Sequence, residues 1–201
     1  MSEIDNSITN YLNNAKKEVV NEKPIFLKYV NKNKNVLDIG GCVGVMSMML
    51  SEITTKKVYV YEPNPISFNL LIQNIKNNNI KNVIAHNYAI GNTLTETKII
   101  FSHPDNIGQT MLAINKEQIK NSNGVKVDLF KLDDVSVKDI GFIKIDVEGY
   151  ELEVLRSGKN LLTNNEITVA VEYHGFDVNG IMKEYKYNLI EEINNKLIFK
   201  K

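Results

Sequence analysis

Two stretches of this sequence hold residue types whose spacing suits chemistry. In the first, VLDIGGCVGV over 36–45, Gly40, Gly41 and Gly44 crowd behind the carboxylate of Asp38. In the second, FIKIDVEGYELEVLRSG over 142–158, Lys144 and Asp146 alternate with Ile143 and Ile145, and Glu148 and Gly149 follow. Glycines after an apolar run let backbone approach a ligand closely, as phosphate- and nucleotide-binding loops require. The charges of the second stretch fall on one face of a strand expected to be buried. An unpaired interior charge costs on the order of several kcal/mol, so Lys144 needs a partner. Asp146, two positions along, and Glu172 on the following strand are the candidates.

Spacing narrows the ligand of the first stretch. The dinucleotide fingerprint is G-x-G-x-x-G. Counted from Gly40, its second glycine falls on Cys42; counted from Gly41, it falls on Val43. No Gly-Lys-Ser/Thr follows, which excludes a P-loop. What remains is D-x-G-x-x-x-G, formed by Asp38, Gly40 and Gly44. The carboxylate suits a cationic group, bare backbone suits a flat one, and a helix starting at about Val43 can receive a ligand carboxylate. S-adenosylmethionine carries an ammonium, a nucleoside and a carboxylate together. Glu62 ends the next apolar strand, where an acid can hydrogen-bond both ribose hydroxyls.

The elements that must position these residues alternate along the chain. Helical pattern over the first 30 residues (ITNYLNNAKKEVV, then IFLKYV after Pro24) precedes strand VLDI (36–39) and helix VGVMSMMLSEI (43–53). Strand KVYVYE (57–62) leads to helix PISFNLLIQNIKNN (65–78), which Asn64 can cap and Pro65 can start. NVIAHNYAI (82–90) is a third strand. Between 93 and 130 the segments TKIIFS and VKVDLF alternate like half-exposed strands around a polar stretch. Strand FIKID (142–146), helix 150–162 and strand ITVAVEYH (167–174) resume the alternation. A short helix near 178–185 and two strands around Asn194-Asn195, a hairpin signal, end it.

Continuous apolar strands alternating with helices predict an α/β fold with a mostly parallel sheet covered on both faces. The closing antiparallel hairpin fits the seven-stranded sheet of S-adenosylmethionine-dependent methyltransferases. A single domain over 1–201 is expected, with a helical extension at 1–34 and a small β insertion at 93–130.

Composition excludes several classes. The 201 residues are 43% hydrophobic and 24% charged, with zero net charge and one arginine, Arg156. That balance gives no electrostatic case for nucleic acid or an anionic membrane. Cys42 is the only cysteine, so neither an intrachain disulfide nor a cysteine metal cluster is available. The polar start MSEIDNSITN lacks an apolar signal core, and no run approaches the ~18 apolar residues of a membrane span. A cytoplasmic location is the expectation.

The motifs, taken in order, resemble the FkbM-type methyltransferases. They are LDIGGCVG (37–44), EPNP (62–65), AIGN (89–92) and IKIDVEGYELEVLRSG (143–158), with LDDV (132–135) and EYH (172–174) as further features. KIDVEG is far more specific than the glycine loop. The family usually carries other residues where Gly41 and Cys42 stand, and the first 30 residues match nothing in it.

The resemblance implies a class I, Rossmann-like three-layer fold. It also implies methyl transfer from S-adenosylmethionine, typically to a hydroxyl of a sugar, glycan or other small metabolite. Carried over by position, Asp38, Gly40, Gly41, Cys42, Gly44, Glu62 and Pro63 would hold the cofactor. Tyr88 and Ala89, ending the third strand, would lie near the adenine, and Asp146 beside the reactive methyl. His174, Asp146 and Glu148 are the candidate general bases. His86, inside a strand, reads as structural, and His103 lies in the insertion. Asp133 and Asp134 with Asp146 offer three carboxylates, but the pair reads as a helix start or a solvated face, and no metal is expected. Methylation of protein or RNA, or cofactor binding without catalysis, are the alternatives.

Overall fold

The computed structural model describes residues 17, 19–92, 96–101, 110–112 and 124–201. His103, most of the polar stretch of the insertion and the first part of the helical extension lie outside the described residues. Helix α1 (19–29) leads into β1 (Asn35–Ile39), α2 (Val45–Ile53), β2 (Val58–Tyr61), α3 (Pro65–Asn77) and β3 (Val83–His86). Four short strands follow: β4 (Ala89–Ile90), β5 (Glu96–Phe101), β6 (Thr110–Leu112) and β7 (Val125–Phe130). After a 3₁₀ turn at Leu132–Asp134 come β8 (Ile140–Ile145), α4 (Glu151–Ser157), α5 (Lys159–Asn164) and β9 (Thr168–Glu172). Helix α6 (Val178–Glu184) and the strands β10 (Asn188–Ile193) and β11 (Lys196–Lys200) complete the chain.

Seven strands form one sheet in the order β10-β11-β9-β8-β1-β2-β3. Strands β9, β8, β1, β2 and β3 run parallel, and β11 and β10 add antiparallel at one edge. Asn194 and Asn195 both take left-handed backbone, the geometry a two-residue hairpin turn needs. Strand order reverses between β1 and β8, which opens a crevice beyond their C-terminal ends. A second sheet, β4-β7-β5-β6, gathers the strands of the insertion.

Alternation along each strand sends side chains to two cores. Leu37, Ile39, Ile143, Ile145, Val169 and Val171 face one way and pack with Tyr150, Val154, Leu155, Leu162 and Met182 of the α4–α6 layer. Val36, Val58, Phe142, Ala170 and Ile198 face the other way, against Phe26 of α1 and Met46, Met49 and Leu50 of α2. Each such side chain, once buried, contributes roughly 1.5–3 kcal/mol. The sheet is thus covered on both faces, as its continuous apolar strands require.

Three boundaries differ from the sequence reading. Helix α2 starts at Val45, because Gly44 before it is left-handed (φ 89°) and cannot belong to the helix. The expected third strand stops at His86; Ala89 and Ile90 leave the large sheet and pair with Leu129 and Phe130 of the second. The expected helix 150–162 breaks at Gly158. The cause lies far away in sequence: the carboxylate of Asp133 accepts from Asn160 N (3.1 Å) and Leu161 N (2.8 Å), capping a new helix start. Asp133 is therefore a helix cap.

Phe142 is fully buried and meets Phe26 edge-on, ring centroids 5.4 Å apart. Phe142→Ala is expected to cost ~3–5 kcal/mol through lost transfer energy and a cavity. Urea denaturation monitored by circular dichroism checks it.

Candidate active site

The glycine loop is pinned from two sides. Gly40 N and Gly41 N both donate to the Tyr61 carbonyl, at 2.9 and 3.2 Å. Gly40 has φ 87°, and a Cβ there would stand 1.7 Å from the Asp146 carbonyl oxygen. No side chain fits, so the two chemically suggestive stretches meet backbone against backbone. Helix α2 then starts with no side-chain cap and no acid in its first turn. Its free N–H groups and dipole suit a ligand anion.

Beneath the loop lies a buried ionic chain. Lys144, 2% exposed, places Nζ 3.2 Å from Asp38 Oδ1, 3.1 Å from Asp146 Oδ2 and 3.3 Å from the Gly40 carbonyl. Burial alone would lower the Lys144 ammonium, but Asp146 and Asp38 outweigh it and hold the group well above its ordinary value. Asp146 was one expected partner; Asp38 was not foreseen. Ser47 Oγ donates to the other Asp38 oxygen at 2.5 Å, and Asp38 has no exposed surface. Both Asp38 oxygens are thus engaged within the fold, by Lys144 and by Ser47. This carboxylate is consumed inside the fold and acts on the site by fixing Lys144 and the loop.

Asp146 itself is partly open, with 21% of its side chain exposed. Burial would raise its carboxyl, but the Lys144 ammonium and a hydrogen bond from Glu172 hold it well below the usual carboxylate range. Glu172 shows the converse: burial first, then that same hydrogen bond to Asp146, push its carboxyl up so that it keeps its proton. The chain continues through Lys196, whose Nζ lies 2.7 Å from Glu22 Oε1 of α1 and 3.9 Å from Glu172 Oε1.

Glu62, 6% exposed, directly follows β2 and faces the loop. Its Oε2 accepts from Cys42 N at 2.8 Å and its Oε1 from Asn64 N at 2.7 Å. Burial pushes this carboxyl up to about 7, against the lowering effect of the two N–H donors. Each oxygen keeps a further lone pair for a hydroxyl. Asn87 Nδ2 donates to the carbonyls of Glu62 and Pro63 and sets the path of that segment. Cys42 takes left-handed backbone (φ 48°), which aims its N–H at Glu62.

His86 stacks on Tyr61 (centroids 5.2 Å apart, planes 14° apart), and Tyr88 packs at 5.4 Å from both rings and 4.5 Å from Phe130. The structural reading of His86 agrees with this stack. Tyr88 is partly buried against the core, whereas Ala89 is buried and starts the second sheet.

Beyond β8 and β9 a second cluster forms. His174 Nδ1 lies 3.1 Å from Glu151 Oε1, and its Nε2 lies 3.9 Å from Glu148 Oε2. Glu148 is left-handed (φ 52°), a costly conformation for a residue with a side chain, and Gly149 after it has φ 95°. Burial and the charge of Asp146 raise the Glu148 carboxyl. Ser47, Glu151, Lys196 and Glu22 escaped sequence reasoning. Ser47 and Glu151 read as ordinary helix residues, and only tertiary pairing reveals their partners.

This arrangement can be set beside known proteins. The Methyltransferase FkbM domain matches residues 38–197. The chain belongs to the FkbM methyltransferase family. A curated relative, Methyltransferase 1 of Beauveria bassiana, is 27% identical across 60% of this chain and 57% of its own length. The crystal structure of an FkbM methyltransferase from Methylobacillus flagellatus KT superposes with a TM-score of 0.59 at 17% identity, covering 85% of this chain and 44% of that one. A precorrin-6y C5,15-methyltransferase from Geobacter metallireducens GS-15 gives 0.53 at 14% identity, over 89% and 85%. These likenesses show the class I methyltransferase fold. This FkbM chain spans about half the length of the relatives named from Beauveria and Methylobacillus. Among the described residues, no helix is long and apolar enough to cross a membrane.

The ionic chain makes a paired expectation. Lys144→Met should destabilise the fold by ~3–5 kcal/mol, because Asp38 and Asp146 would be left facing each other without a counter-charge. Glu172→Gln should change stability far less, since it replaces a carboxyl that already holds its proton. Urea titrations of both variants at pH 7 compare them.

Proposed function

We propose that this FkbM-family chain transfers a methyl group from S-adenosylmethionine to a hydroxyl of a sugar or other small metabolite. The observation that carries the reading is the buried Glu62 carboxylate at the exit of β2, tied to the glycine loop through Cys42 N. A loop on which no Cβ fits, an uncapped helix start and an acid for vicinal hydroxyls match the donor's nucleoside, amino-acid carboxylate and ribose. The bound donor supplies an activated methyl on a sulfonium. Everything else falls to the chain's own residues.

Alignment is their main contribution, potentially ~7–11 kcal/mol in well-oriented systems. A general base for the hydroxyl adds ~10²–10⁴-fold. Asp146 is a poor base because Lys144 keeps it ionised far below neutral pH; it suits holding charge and orientation at the reacting centre. His174 is the better proton acceptor, at the exit of β9 with its Nε2 directed away from Glu151. Beside it opens a cavity of about 370 Å³ lined by Tyr173, Phe176, Asp177, Asn179 and Glu192. Aromatic faces with carboxylates and an amide suit a polyhydroxylated acceptor. Zero net charge over the whole chain favours this acceptor over RNA.

Three tests follow from this reading. Glu62 in the ligand-free fold ionises only at about 7, so its charging costs stability as pH rises from 4.5 to that point. Ribose hydroxyls hydrogen-bond the ionised form, so donor binding below about 7 must expel one proton. Affinity for S-adenosylhomocysteine should therefore rise about tenfold per pH unit up to that point and then level off. Glu62→Gln should bind more weakly and without this slope, and calorimetry measures both. NAD should produce no stabilisation in a thermal melt. In a screen of sugars and hydroxylated metabolites with labelled methyl donor, transfer is expected, and His174→Ala should lower it by ~10²–10⁴-fold. Transfer undiminished in that variant removes His174 from the mechanism.

A further inference from the structure

Glu151, at the start of α4, has no exposed surface. Its Oε1 accepts two backbone hydrogen bonds, from Val147 N and Gly149 N, both at 3.1 Å. These donors sit in the turn that carries Glu148, so the carboxylate is locked to the backbone of the β8–α4 connection. The same Oε1 lies 3.1 Å from His174 Nδ1, on the separate segment that leaves β9. An oxygen already receiving two N–H groups repels a ring lone pair at 3.1 Å, so the contact favours a proton on Nδ1, although Nδ1 makes no aligned hydrogen bond to it. In a neutral ring this leaves the lone pair on Nε2, the end that stands 3.9 Å from Glu148 Oε2 and makes no hydrogen bond to it.

We propose that Glu151 is a positioning residue: it fixes His174 as the Nδ1–H tautomer and turns Nε2 toward the acceptor hydroxyl. The proposal rests on the reading of His174 as the proton acceptor. When the methyl leaves sulfur for the acceptor oxygen, the hydroxyl proton passes to Nε2, and the imidazolium that forms keeps its Nδ1–H on Glu151. Atoms and charge balance: the sulfonium loses its positive charge, and the imidazole gains it. Glu148 and Asp146 are the other acids near this cluster, Glu148 toward the exposed side and Asp146 held by Lys144. Glu151 differs from both in being enclosed and held at a fixed angle by backbone donors.

The test is nitrogen-15 NMR of the imidazoles in the full chain, which holds three histidines. The His174 signals are identified by their loss in His174→Gln. In the wild type above the imidazole titration, His174 should show protonated Nδ1 and unprotonated Nε2. Glu151→Ala should lose that preference, and its kcat should fall by up to ~10²–10⁴-fold, the whole contribution of a general base, with the KM for the methyl donor unchanged. Glu151→Gln, which keeps an acceptor oxygen in place, should restore the tautomer and much of kcat. A wild-type His174 protonated at Nε2 overturns the proposal, and that measurement requires no variant to fold. So does an unaltered tautomer in a folded Glu151→Ala. The tautomer is read without any acceptor, so failure here is separate from failure of the methyl-transfer reading, which the acceptor screen decides.

Discussion

Lys144 lies beneath the glycine loop with its ammonium shared between Asp38, Asp146 and the Gly40 carbonyl, at distances of 3.1 to 3.3 Å. A cation so enclosed is tolerable only while all of these acceptors stay in place. That requirement ties two strand exits together. Asp38 fixes β1 and, through Ser47, the first turns of α2. Asp146 fixes the end of β8, where the Gly40 loop rests on its carbonyl. Replacing the trio with apolar residues of similar size could give an equally stable sheet, but no longer one that holds the loop at this height. The ionic pairing is therefore better understood as specifying geometry than as adding stability.

From the same centre, charge extends outward through Glu172 and Lys196 to Glu22 on α1. Protonating Glu172 relieves the crowding of carboxylates and lets Asp146 remain ionised next to the crevice. The N-terminal helix is thereby joined to the site by more than the apolar contact of Phe26 with Phe142. Beside this network stands a differently built cluster. His174 lies 3.1 Å from one enclosed acid, Glu151, and 3.9 Å from one exposed acid, Glu148. One assembly keeps charges fixed, and the other, in the function proposed, leaves a proton-accepting nitrogen available. That division suits a site where alignment supplies most of the rate and proton removal a smaller part.

Much of this was legible in the sequence. The order of strands and helices followed from apolar periodicity, the hairpin from Asn194-Asn195, and the cap of α3 from Asn64. Glu62 lies one residue past the end of β2, next to where it was expected, because a strand end is a local feature. The misses share one cause. Asn160 and Leu161 receive their cap from Asp133, and Asp38 receives its cation from Lys144. Both partners are remote in sequence, and periodicity says nothing about which remote charge will face which.

By itself, the sequence determined the alternating α/β plan, the position of the loop at a strand exit and the exclusion of a dinucleotide fingerprint. These depend on side-chain period and glycine spacing, which are properties of short segments. Only the tertiary structure decided that Asp38 faces inward to Lys144, that Glu62 latches Cys42, and that Glu151 meets His174. Those outcomes depend on strand order and register, which place β8 beside β1 and β9 beside β8. The chemistry was written in residues whose roles are fixed by neighbours that only folding supplies.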